Sequence, residues 1–124
     1  MRFLLYPFTL IYSLVTYMRN LFFDFGIFSS KEYSIPIICI GNITAGGTGK
    51  TPHTEYLLYL LCDKKTAVLS RGYNRETKGL FWVDVNSKTK NIGDEPLQIK
   101  QKFPDTIVVV SRNRRKGIEQ ILEK

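Results

Sequence analysis

The sequence predicts an α/β fold in which helices flank a parallel sheet, with an additional apolar helix at the N-terminus. Short apolar runs that fit strands, at residues 35–40, 66–70, 80–85 and 106–110, alternate with segments of helical periodicity. A glycine-rich stretch separates the first of these runs from a helical pattern. The chain has 124 residues, which is enough for one small domain with a modest core.

The composition is that of a basic globular protein. Hydrophobic residues make up 44% and charged residues 23% of the chain, which is typical of folded rather than disordered proteins. A formal net charge of +7 favours anionic partners. The basic residues are spread over several segments and form no block of five or six, which argues against a nucleic-acid-binding tail, so we expect no nucleic-acid partner.

The N-terminal segment is mostly apolar over residues 3–18, shorter than the roughly 20 residues that a bilayer-spanning helix requires. At helical spacing its polar side chains form one narrow stripe, made of Thr9, Ser13, Thr16, Asn20 and Asp24. A signal peptide, a helix buried on the domain and a helix lying in the membrane interface are the three interpretations. The stripe and the tyrosines favour the interfacial helix, so residues 1–30 are predicted to be a membrane-associated region.

The stretch that follows the first apolar run has the features of a P-loop. Residues 35–40 fit a buried strand, and a helical pattern begins at Lys50, which is the context that a P-loop requires. Backbone N–H groups would surround the phosphates of ATP, Lys50 would reach the β- and γ-phosphates, and the Thr51 hydroxyl would bind Mg²⁺. Thr44 replaces the usual first glycine. The predicted nucleotide-binding residues are Thr44, Ala45, Gly46, Gly47, Thr48, Gly49, Lys50 and Thr51.

Basic and aromatic side chains follow the second predicted strand, residues 66–70. Arg71, Tyr73 and Arg75 come directly after it, at the strand end where open α/β sheets bind ligands. The arginines are candidates to hold phosphate, and Tyr73 is a candidate to contact a ring or a hydroxyl. An ordinary basic loop is the alternative.

Two adjacent carboxylates, Asp94 and Glu95, precede the next helical segment. In one interpretation Asp94 is the helix N-cap, with Pro96 in the first turn. In the other, one carboxylate accepts the proton of an attacking hydroxyl and the other helps to hold Mg²⁺. The residues alone leave both interpretations open.

Three motifs together resemble one family. The segment 41–52, Ser70-Arg71-Gly72-Tyr73 and Gly93-Asp94-Glu95-Pro96 resemble, in order, motifs of the tetraacyldisaccharide 4'-kinases of lipid A biosynthesis. That family also carries Ser or Thr in place of the first P-loop glycine. Asn74 departs from it, since the family often has glycine there.

The resemblance implies a reaction and roles for particular residues. ATP would phosphorylate the 4'-hydroxyl of a tetraacyldisaccharide 1-phosphate to give lipid IVA, at the cytoplasmic face of the inner membrane of a Gram-negative bacterium. Asp94 would deprotonate the hydroxyl, and Lys50 would bind the phosphates of ATP. Thr51 and Glu95 would hold the metal. Arg71 and Tyr73 would contact the substrate.

The resemblance also implies that the P-loop kinase domain, residues 31–124, is truncated, because members of the family are considerably longer. The alternatives are another P-loop NTPase and a non-catalytic, membrane-attached nucleotide-binding fragment.

Overall fold

In a computed structural model, the protein is described over residues 6–42 and 49–124. The chain divides into two compact units, Met1–Ile38 and Cys39–Lys124. The elements are the helices α1 (Tyr6–Asp24), α2 (Lys50–Leu60), α3 (Thr89–Ile92), α4 (Asp94–Lys102) and α5 (Arg114–Leu122), and the strands β1 (Ala67–Ser70), β2 (Leu80–Trp82) and β3 (Ile107–Ser111). The predicted α/β class is confirmed.

The first unit contains α1, whose apolar side chains are exposed. Phe8 is 68% exposed, and Ile11 and Val15 are each 60% exposed. The hydroxyls of Thr9 and Thr16 donate to the carbonyl oxygens of Tyr6 and Tyr12, both at 2.8 Å, so these polar groups are satisfied by the helix itself. Of the helices that the structure describes, none has the length and apolarity needed to cross a bilayer.

The predicted strand over residues 35–40 is wrong. The described backbone there has no regular secondary structure, and Ile35, Ile37 and Ile38 are 40–61% exposed. A strand needs a neighbour for its backbone hydrogen bonds, and the described sheet contains β1, β2 and β3 only. Without a neighbouring strand to pair with, the apolar composition of residues 35–40 is not enough to form a strand.

The second unit is built on β3, the central strand of the order β1-β3-β2. β1 pairs with β3 in parallel and β2 pairs with it antiparallel, so the sheet is mixed. Val108, Val109 and Val110 are at most 1% exposed. One face of the strand, with Val108 and Val110, belongs to a core cluster that also contains Leu58, Val83, Ile92 and Ile99.

The helices of the second unit pack on the sheet and on one another. α4 and α5 both pack on β3, and α2 packs on α4. α5 approaches closely at Gly117, where an added Cβ would lie 2.7 Å from a Leu69 methyl carbon. The segments that carry the predicted motifs, after β1 and at the starts of α2 and α4, are thereby held by one core.

Candidate active site

The described end of the glycine-rich stretch begins a helix. Gly49 is the N-cap of α2 and has a left-handed backbone, with φ 77° and ψ 26°. Lys50 is the first residue of α2 and is exposed, and the first turn holds no acidic side chain. Among the described residues no side chain caps this helix N-terminus, whose partial positive charge suits an anion. The other predicted nucleotide-binding residues, Thr44, Ala45, Gly46, Gly47 and Thr48, lie outside the described residues.

Two residues that were predicted separately as metal ligands lie in direct contact. The Thr51 hydroxyl donates to Glu95 Oε1 at 2.6 Å, although the two residues are 44 positions apart. Both atoms are oxygens of the kind that Mg²⁺ prefers. Within residues 6–42 and 49–124, no group of three or more His, Cys, Asp or Glu side chains is arranged to hold a metal. The Thr51 and Glu95 oxygens are candidate ligands for a divalent cation.

The contact between Thr51 and Glu95 is the first of three that join α2 to α4. One turn further along α2, Glu55 accepts hydrogen bonds from Gln98 at 3.1 Å and from Lys102. After another turn, the rings of Tyr59 and Phe103 meet edge to face, with centroids 5.0 Å apart. The spacing of four on α2 puts all three contacts on one face of the helix, so the two helices are held in register. This face was not predicted from the sequence, where its one sign is the four-residue spacing of Thr51, Glu55 and Tyr59.

The ionised form of the Glu55–Lys102 pair is favoured on both sides. The hydrogen bond from Lys102 lowers the pKa of Glu55, and the same bond raises the pKa of Lys102. The carboxylate's contribution to stability is present above its unfolded pKa and is lost as pH falls through the lowered folded value. The ammonium's contribution is present below its unfolded pKa and is lost as pH rises through the raised folded value. The pair is therefore intact at neutral pH.

Asp94 occupies the first turn of α4, which excludes the interpretation that it is the helix N-cap. Gly93 is the N-cap, and no side chain caps the helix. An extended N-cap with φ 94° and ψ 161° is accessible to glycine because it has no Cβ. Asp94 follows it with an exposed side chain. Its carboxylate is therefore available to solvent, next to a Glu95 that is partly buried against Thr51.

The loop after β1 packs backbone to backbone on the start of α4. An added Cβ at Gly93 would lie 3.0 Å from the Tyr73 carbonyl oxygen, and one at Gly72 would lie 3.1 Å from the Ile92 carbonyl oxygen. Tyr73 is 84% exposed. Two predicted motifs, around Tyr73 and around Asp94, are thus brought together, and the glycines in both allow this contact.

The other residues of this loop, Arg71, Arg75 and Asn74, differ in exposure and in backbone conformation. Arg71 is exposed, as expected for a group that binds a ligand. Arg75, the other candidate to hold phosphate, is only 5% exposed, and its side chain fills the space beside Gly72. Asn74 has φ 59°, a left-handed backbone that asparagine tolerates better than most residues. Asparagine therefore keeps a conformation that glycine would adopt at this position.

Comparison with known proteins decides the family. The family model for LpxK, the tetraacyldisaccharide-1-P 4'-kinase, matches residues 1–124. The chain belongs to this family.

The tetraacyldisaccharide 4'-kinases similar to this chain include those of Parabacteroides distasonis, 51% identical over 96% of the chain, and Flavobacterium johnsoniae, 48% identical over 100% of it. The crystal structure of LpxK from Aquifex aeolicus in complex with ATP matches with a TM-score of 0.79 and 38% identity over 97% of the chain. The chain spans 32% and 37% of the length of these two relatives and 39% of the solved chain. It corresponds to the N-terminal part of an LpxK protein.

Proposed function

We propose that this chain provides the nucleotide-binding and proton-accepting part of a kinase that transfers phosphate from ATP to the 4'-hydroxyl of a tetraacyldisaccharide 1-phosphate, giving lipid IVA. The contact between Thr51 and Glu95 at 2.6 Å is the observation that carries the proposal. It joins the helix that follows the glycine-rich loop to the helix that carries Asp94. Membership of the LpxK family supports the same reaction.

ATP and Mg²⁺ fit the described residues. The N-terminus of α2 and the Lys50 ammonium suit the triphosphate, and the Thr51 and Glu95 oxygens suit the metal. When bound, Mg²⁺ would neutralise part of the charge on the phosphates. Lys50 would hold the terminal phosphate, and Glu95 would orient the Thr51 hydroxyl through their hydrogen bond.

Asp94 is the proposed base. Its exposed carboxylate follows Gly93 directly and lies one residue before Glu95, so it is available to accept the proton of the 4'-hydroxyl as that oxygen attacks the terminal phosphorus. Tyr73 lies on the loop that packs on Gly93 and would contact the acceptor from that side. Arg71, exposed at the end of β1, would pair with an acceptor phosphate.

Residues 1–30 are proposed to attach the kinase domain, residues 31–124, to the cytoplasmic face of the inner membrane. The exposed apolar side chains of α1 and the internally satisfied threonine hydroxyls support a helix lying in the headgroup region. An acceptor with four acyl chains stays in the bilayer, so a kinase for its headgroup benefits from binding there.

The test of the proposed function is transfer of radiolabelled phosphate from ATP to purified tetraacyldisaccharide 1-phosphate by the full-length protein in mixed micelles. The expected product carries the label at the 4'-position. ATP hydrolysis without lipid labelling would contradict the proposal and favour another P-loop NTPase. Nucleotide binding with neither reaction would favour a non-catalytic module.

Thr51→Val should weaken the response to Mg²⁺, because valine keeps the shape of threonine but removes the metal-binding hydroxyl. We expect the Mg²⁺ concentration for half-maximal transfer to rise about tenfold or more, and Thr51→Ser to restore it. Thr54→Val is the matched control, since the Thr54 hydroxyl donates to the Lys50 carbonyl within α2 at 3.0 Å. Equal Mg²⁺ responses of Thr51→Val and Thr54→Val would contradict the assignment.

Val15→Glu should weaken binding to membranes, because it places a charge on the apolar face of α1. Ser13→Glu adds the same charge to the polar stripe and serves as the control. In sedimentation with vesicles of phosphatidylethanolamine and phosphatidylglycerol, we expect Val15→Glu to lower the bound fraction several-fold and Ser13→Glu to change it little. Equal losses would indicate a helix that binds without a preferred face.

A further inference from the structure

Arg75 is a buried cation whose hydrogen bonding is incomplete. It is 5% exposed, and its Nη2 donates to the Gly79 carbonyl oxygen at 2.6 Å. Its Nε and Nη1 are buried and have no hydrogen-bond partner among residues 6–42 and 49–124. The guanidinium carbon lies 5.8 Å from the centre of the Phe81 ring, which supplies one favourable contact for the charge.

This arrangement is costly to the fold. Burial lowers the pKa of Arg75, and the charge of Arg112 lowers it further, so the native environment disfavours the charged form. Buried donors without partners add a desolvation cost that a methionine of similar length would not carry. A buried arginine with unpaired donors differs from the apolar side chains of the core cluster. A contribution to folding stability therefore does not explain the presence of Arg75.

The side chain of Arg75 supports the turn that carries Tyr73. An added Cβ at Gly72 would lie 2.6 Å from Arg75 Cδ and 2.9 Å from Nε, so the arginine packs directly on the Gly72 backbone. The same added Cβ would lie 3.1 Å from the Ile92 carbonyl oxygen, so Arg75 and Ile92 meet Gly72 on the same side, and a Cβ added at Gly93 would lie 3.0 Å from the Tyr73 carbonyl oxygen. The arginine therefore packs on Gly72 where this turn meets the residues that lead into α4.

Two further hydrogen bonds tie the rest of this loop to α3. The Glu76 amide donates to the Lys90 carbonyl oxygen at 2.9 Å, and the Thr77 hydroxyl donates to that of Asn91. The loop from Gly72 to Gly79 is thus attached to the chain just before Asp94 at several points, and Arg75 spans it from Gly72 to Gly79.

We infer that Arg75 is a positioning residue, whose buried guanidinium holds the Gly72–Tyr73 turn against Gly93 and so fixes Tyr73 relative to Asp94. The inference rests on the proposed function, in which Tyr73 contacts the acceptor and Asp94 takes its proton. A small displacement between an acceptor contact and a base lowers the rate strongly, because the reacting groups lose alignment. Arg75 therefore acts on turnover through Tyr73 and touches no substrate.

The test compares Arg75→Met and Arg75→Lys with Lys78→Met, an exposed basic residue of the same loop, in the full-length protein. For Arg75→Met we expect kcat for lipid phosphorylation to fall about tenfold to a hundredfold, with an unchanged KM for MgATP and an unchanged or higher melting temperature. Arg75→Lys should recover part of the lost kcat, because its ammonium can donate to the Gly79 carbonyl but cannot fill the space beside Gly72. Lys78→Met should match the wild type.

Amide hydrogen exchange measures how firmly the turn is held, and the measurement does not depend on catalysis. We expect the Glu76 and Gly93 amides, which donate to the Lys90 and Thr89 carbonyl oxygens, to exchange faster in Arg75→Met, with β3 unchanged. Three results would overturn the inference: a wild-type kcat in Arg75→Met, a fall in its melting temperature that parallels the loss of kcat, or unchanged exchange at both amides. A wild-type protein that transfers no phosphate would contradict the proposed function instead, and the exchange comparison would still decide whether Arg75 holds the turn.

Discussion

Lys50→Met should lower kcat/KM for lipid phosphorylation about a thousandfold, because it removes the cation at the N-terminus of α2 that is proposed to balance the charge of the terminal phosphates. Lys50 is exposed and makes the first residue of the helix, where lysine and methionine have similar helix propensities. We therefore expect an unchanged melting temperature. Radiolabel transfer measures activity, and calorimetric titration with MgATP measures the accompanying loss of nucleotide affinity.

The matched control for Lys50 is Lys65→Met, which removes an exposed lysine between α2 and β1. It lowers the net charge by the same amount and leaves the helix N-terminus intact. Turnover in Lys50→Met equal to that of Lys65→Met would refute the phosphate-binding role of Lys50. The P-loop assignment would then depend on residues 44–48 and their backbone alone.

Asp94→Asn should lower kcat about 10²- to 10⁴-fold while leaving nucleotide binding intact, because asparagine keeps the size of the side chain but cannot accept the acceptor's proton. Since Gly93 rather than Asp94 is the N-cap of α4, the substitution removes no capping bond. The loss of a negative charge in the first turn should cost only a few tenths of a kcal/mol. Single-turnover transfer separates the chemical step from product release.

The control for Asp94 is Asp105→Asn, an exposed aspartate outside the helices that precedes β3. We expect it to keep wild-type turnover and the same melting temperature. If Asp94→Asn lost stability and activity together, the helix rather than the reaction would depend on the carboxylate. Retained turnover in Asp94→Asn would require a different proton acceptor.

The sequence predicts β1, β3 and α2 well because their patterns are strong and local. A β-branched apolar run gives β3, and a helical period after Gly-Lys-Thr gives α2. Residues 35–40 carry an equally strong apolar pattern and still form no strand in the described structure. Strand formation depends on a pairing edge, which local composition does not specify.

The sequence assigns Thr51 and Glu95 to one metal from separate motifs, and the structure puts the two residues in contact, while metal binding itself stays a prediction. The buried residues that support this site were harder to predict. Arg75 was grouped with Arg71 because both follow the same strand, yet one is buried and the other exposed. Burial of an arginine depends on a space beside Gly72 that only the tertiary structure creates.

The three contacts between α2 and α4 have a mechanical consequence. They are spread over most of the length of α2, at Thr51, Glu55 and Tyr59, so the two helices are joined near both ends of α2. We therefore expect a displacement of α2 to carry the first turn of α4 with it when the helix N-terminus receives an anion. The distance between Lys50 and Asp94, the proposed phosphate-binding and proton-accepting residues, would then stay constant through such a movement, although they belong to different helices.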